Sequence, residues 1–102
     1  MEHQIEIIRV DECPSWEHAL KNLERVLTQL DIEAPVAVKL IQSQQEALDY
    51  EFSGSPMIRF DGRDLFPVSE GKPALHCRVF LVEGKFAGWP TEKMIEDAIN
   101  QI

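Results

Sequence analysis

Two thiols are available to this 102-residue chain, Cys13 and Cys77, 64 positions apart. That spacing is neither a disulfide framework nor a zinc-ligand pattern. Cys13 stands in VDECPSWE, between an apolar β-branched run and a stretch with helical spacing. At a helix N-terminus the unpaired N–H groups and the positive end of the dipole stabilise a thiolate. Asp11 and Glu12 oppose this, because neighbouring carboxylates raise a cysteine pKa, and no lysine adjoins Cys13. Ser15 either donates a hydrogen bond to the sulfur or serves as an ordinary first-turn residue. His18 follows Cys13 by five positions, off its helical face, so a Cys–His pair is not supported. His76 and Cys77 are adjacent in a strand-like run and point to opposite faces, so no metal site is expected there.

The elements that must position these thiols follow from periodicity. Residues 4–10, QIEIIRV, read as a first strand. Trp16, Ala19, Leu20, Leu23, Val26, Leu27 and Leu30 then draw one apolar stripe, with Pro14 suited to the helix's first turn. Val36 to Gln42 reads as a second, well-buried strand, parallel to the first. Ser43 and Glu46 form a capping-box signature for a short helix to about Tyr50, which Gly54 follows. Met57 to Phe60 is a third strand, and Asp61-Gly62 a turn. Cys77 to Val82 is expected as a fourth strand, antiparallel to the third. Gly84 to Pro90 reads as a loop, and Thr91 caps a closing helix that carries Met94, Ile95, Ala98, Ile99 and Ile102 on one face.

The expected order is β-α-β-α-β-β-α, one α/β domain over residues 1–102 with a four-stranded mixed sheet. A ferredoxin-like order would need a final strand where residues 91–102 have helical spacing. In the expected hairpin, Cys77 lies at the far end of the sheet from Pro56 and Cys13. Five strand residues span roughly 17 Å, and a disulfide needs Cα atoms about 4.4–6.8 Å apart. Cys77 is therefore expected as a strand thiol in or near the core. The fourteen-residue connection from Arg63 to His76 is long for a hairpin. Leu65, Phe66 and Leu75 suit packing on the domain or a dimer contact, while Pro67, Gly71 and Pro73 exclude a regular helix there.

Eighteen acidic against ten basic residues give a net charge of −8, which repels nucleic-acid phosphates. No apolar stretch is long enough to span a bilayer, and the N-terminus lacks the pattern of a secretory signal. The expectation is a soluble cytoplasmic protein, monomeric or weakly dimeric, with both thiols reduced.

DECPSWE, FSGSPMIRFDGRDLFP and the C-R-V-F strand together resemble a family of small prokaryotic thioredoxin-like proteins, related to the glutaredoxins. The resemblance covers nearly the whole chain, and the expected element order is that of the thioredoxin fold. It implies a cis peptide bond before Pro56, with the Ser55 backbone open to an extended peptide or to glutathione. It also implies Cys13 as nucleophile, with Pro14, Ser15, Ser55 and Pro56 shaping the groove; by position, Trp16 at the helix's first turn and Trp89 after the fourth strand either line the same rim or close the core. The chain departs from the dithiol members, since Cys13-Pro14-Ser15-Trp16 has tryptophan where they carry a resolving cysteine. Three readings stay open. One is a monothiol-disulfide oxidoreductase working with a protein or glutathione as co-substrate and no bound cofactor. Another uses Cys77 as the resolving thiol. The last is a non-catalytic protein-binding module. Some relatives carry an alkylmercury lyase label, an activity not carried over because this chain lacks that enzyme's further cysteines.

Overall fold

The computed structural model describes residues 3–11, 13–68 and 75–102. Glu12, and Gly71 and Pro73 of the long connection, lie outside them. Strand β1 (Ile5–Arg9) leads to helix α1 (Trp16–Gln29) and then to β2 (Val36–Leu40), which pairs with β1 in parallel, Ile7 opposite Val38. Helix α2 (Gln44–Asp49) follows, and β3 (Met57–Phe60) pairs antiparallel with β1, Ile7 opposite Ile58. β4 (Arg63–Asp64) completes a mixed sheet of order β2-β1-β3-β4. The chain closes with β5 (Phe80–Val82), β6 (Lys85–Ala87) and helix α3 (Glu92–Asn100).

β1 is central, and its alternation splits the apolar residues between the two faces of the sheet. Ile5 and Ile7, with Ile58 and Phe60, face the α1 stripe of Ala19, Leu23, Val26 and Leu27 and the α3 residues Ile95 and Ile99. Ile8 and Val10 face the other way, into a second cluster with Cys13, Ile41, Ala47, Phe52 and Met57. The candidate thiol is therefore built into the core on the α2 side of the sheet.

The N-termini of α2 and α3 are capped as their residue types predict. The Ser43 hydroxyl accepts from the Glu46 N–H at 3.2 Å, and Thr91 accepts from Met94 at 3.1 Å. Both α1 and α2 end in Schellman turns, with Asp31 and Glu51 at positive φ. Ile32 N–H donates to the Leu27 carbonyl and Phe52 N–H to that of Ala47, each at 2.9 Å. The second of these turns drops Phe52 into the core and aims residues 53–56 back across the end of the sheet.

Two expectations about strands are corrected. β2 is an edge strand, and Ala37 and Val38 are exposed, because only β1 flanks it and the helices leave it partly uncovered. The partner of β3 is β4, reached through the two-residue Asp61-Gly62 turn with both residues at positive φ. Phe80–Val82 instead forms its own hairpin with Lys85–Ala87 around Glu83-Gly84, within what reads in sequence as a loop. Leu65 is buried, and Phe66 meets Phe80 edge-on with ring centroids 5.4 Å apart, so this part of the long connection packs on the domain. Among the described residues, no helix is long and apolar enough to cross a membrane.

Candidate functional site

The site forms where the chain leaves β1 and enters α1. Cys13 is only 2% exposed. Its thiol donates to the Ser55 carbonyl at 3.5 Å. Ser55 is itself fully buried, and its hydroxyl accepts from the Val10 N–H at 3.1 Å. With that lone pair taken, the hydroxyl proton is left to point at the Cys13 sulfur. The Ser55–Pro56 peptide bond is cis, and Pro56 is buried.

The backbone of Ser55 is not open to a ligand. Its N–H donates to the His76 carbonyl at 2.8 Å, and its carbonyl accepts from the Arg78 N–H at 3.0 Å. These two bonds make a parallel bridge between Ser55 and Cys77. Residues 76–78 of the same chain thus occupy the position expected for an extended peptide. The sequence-based placement of Cys77 at the far end of the sheet is overturned. Cys77 is exposed, and its side chain hydrogen-bonds the Cys13 sulfur, with neither cysteine in a disulfide. The hairpin placement fails because β4 takes the place beside β3, while residues 76–78 bridge Ser55.

Two features hold this segment down. Gly54, at φ +124°, lets it approach so closely that a Cβ there would stand 2.7 Å from Arg78 Cβ. Arg78 then clamps the neighbouring loops, its guanidinium donating to Ser53 Oγ at 3.1 Å and to the Phe66 carbonyl at 3.0 Å while stacking 4.4 Å above the Phe80 ring.

Burial pushes the Cys13 thiol up, but hydrogen bonds outweigh it and leave the thiol below its ordinary range. The Cys77 thiol contributes most, then the Ser55 hydroxyl, then the backbone and side chain of Ser15. Ser15 occupies the N-cap position of α1, yet its hydroxyl makes no capping bond. It turns to the sulfur instead, which decides between the two roles open in the sequence. Gly88 packs on it, and a Cβ there would fall 2.4 Å from Ser15 Oγ. Gly88→Ala should therefore displace that hydroxyl and raise the Cys13 pKa, as Ser15→Ala should. In a thiolate-absorbance titration the double variant should shift no further than Ser15→Ala alone; additive shifts would refute the link.

The remaining expected groove residues scatter. Pro14 is exposed, and Trp16 is half-buried under the Arg9 guanidinium, 4.6 Å from the ring centroid. Trp89 packs against the α1–α3 core and stacks on the exposed His18 with ring centroids 4.1 Å apart. A cavity of about 490 Å³ opens instead among Val10, Asp11, Ile41, Gln42, Leu75, His76 and Cys77. Its lining joins the C-terminal ends of β1 and β2 to the segment that bridges Ser55. Sequence reasoning did not single out Gly88 or Arg78, whose roles depend on partners distant in the chain. Among the described residues, no group of three His, Cys, Asp or Glu side chains could hold a metal ion.

Comparison of the chain with protein-family models, with curated proteins and with solved structures yields no match.

Proposed function

We propose that this chain is a thioredoxin-like thiol protein. Its working unit is the pair Cys13 and Cys77, which cycles between dithiol and disulfide. The fold reading is supported by the parallel β1-α1-β2 crossover, the sheet order, and the placement of Cys13 before α1 opposite Ser55-Pro56. The functional reading rests on one observation, the parallel bridge between Ser55 and Cys77, which sets Cys77 beside the residue whose carbonyl takes the Cys13 thiol. Cys77 supplies the second thiol that the Cys13-Pro14-Ser15-Trp16 motif lacks.

The cycle is balanced by an external disulfide such as oxidised glutathione. The two protein thiols give up two electrons and two protons and form an S–S bond of about 2.05 Å. The external disulfide takes them up and leaves as two thiols. Equilibrating the reduced protein in glutathione buffers of graded ratio, followed by intact-mass analysis, tests this. The expected product has lost two hydrogens and carries no glutathione. Stable glutathione adducts on both cysteines, or no reaction without denaturant, would refute exchange. The burial of Cys13 and the pairing of Ser55 within the chain favour a second reading, a non-catalytic binding module in which the sulfur contact is packing. That reading expects no disulfide in the same titration.

A further inference from the structure

We propose that Cys77, not Cys13, is the sulfur that meets an incoming disulfide, and that it does so in the cavity at the ends of β1 and β2. This rests on the exchange reading above. Cys13 has the place before a helix where the reactive thiol was expected, but it is 2% exposed and enclosed by Ser55. It is not among the cavity's lining residues. Cys77 is exposed and lines that cavity. An attacking sulfur must reach the substrate along the S–S axis, and only Cys77 has open space before it.

The hydrogen bond between the thiols gives the buried cysteine two successive tasks. Cys13, as thiolate, takes the Cys77 proton while the Cys77 sulfur attacks R–S–S–R′. One bond forms, Cys77–S–R, and R′–S⁻ leaves. Cys13 then gives its proton to R′–S⁻ or water and attacks the Cys77 sulfur, expelling R–S⁻. The protein ends as the Cys13–Cys77 disulfide, and the substrate as two thiols.

The cavity also indicates what kind of disulfide fits. Val10, Ile41 and Leu75 offer apolar surface and Gln42 an amide, while Asp11 places a carboxylate on the wall of a protein of net charge −8. The class that suits it is a small disulfide whose entering half carries no negative charge. Raising the ionic strength should slow reaction with cationic cystamine and speed reaction with anionic oxidised glutathione. The opposite signs would overturn the substrate class.

The role assignment is tested by mixing reduced Cys13→Ser and Cys77→Ser proteins with cystamine and following the mixed disulfide by intact mass. Cys13→Ser, which keeps Cys77, should form the adduct at least tenfold faster than Cys77→Ser. Equal rates, or a faster Cys77→Ser, would overturn the assignment. Should either variant fail to fold, brief alkylation of the reduced wild-type protein with peptide mapping decides the same point. Cys77 should carry the first label, and first labelling of Cys13 overturns the proposal. Failure of the underlying reading is distinct, since no wild-type disulfide would then form in glutathione buffers, whichever sulfur labels first.

Discussion

Replacing Gly54 with alanine should destabilise the protein by about 2–5 kcal/mol, a large part of the roughly 5–15 kcal/mol that holds a small domain folded. Two costs combine. A side chain at φ +124° is strained by about 1–3 kcal/mol, and overpacking adds a similar amount. The 2.9 Å approach to His76 Nε2 can be relieved by swinging the imidazole, but the 2.7 Å approach to Arg78 Cβ cannot be relieved so easily. That carbon is tied to the backbone bridging Ser55, and the guanidinium beyond it is held by Ser53 and Phe66. The chain must therefore either lose stability or let residues 76–78 lift away from Ser55. Urea midpoints would show the first, and slower closure of the Cys13–Cys77 disulfide the second. A variant unchanged in both would mean that this segment does not pack on Gly54.

Removing the Cys77 thiol should raise the pKa of Cys13, because it deletes the largest of the hydrogen bonds that offset burial. The reduced wild-type protein should begin to form thiolate below the ordinary cysteine value of about 8.5. Cys77→Ala should begin at higher pH in the same ultraviolet absorbance titration. Stability should follow by linkage. A thiol whose pKa is depressed on folding contributes stability that is fully present above the unfolded-state pKa and is lost as pH falls through the folded-state pKa. The reduced wild-type protein should thus gain stability between those two values as pH rises, and Cys77→Ala should gain less. Identical ionisation in the two proteins would show that the thiols are not hydrogen-bonded. Burial of Cys13 would then be offset by the Ser55 and Ser15 hydrogen bonds alone.

These two predictions lie on either side of what could be read without a structure. The α1 stripe from Ala19 to Leu27, the Ser43 and Thr91 caps and the Asp61-Gly62 turn are present as expected. Each is a local matter, in which the residues that specify the feature lie within a few positions of one another. The place of Cys13 before α1 was legible for the same reason. So was the turn at Glu83-Gly84 in principle, since glycine after a polar residue between short apolar runs permits a two-residue hairpin. Reading Cys77–Val82 as a fourth strand paired with β3 leaves no place for that hairpin.

The sequence by itself determined the three helices and their apolar faces, the course of the first three strands, and that one thiol begins a helix. Tertiary structure alone decided where the second thiol goes. Alternation along a strand specifies its two faces but not its neighbour, so residues 77–82 were equally compatible with β3, with β6 or with Ser55. The choice was made by contacts far apart in the chain: the space left by Gly54, the Arg78 clamp on Phe66, and the backbone groups of Ser55, which once buried had to find partners. Those contacts bring Cys77 to Cys13, and no local pattern around either cysteine encodes that meeting.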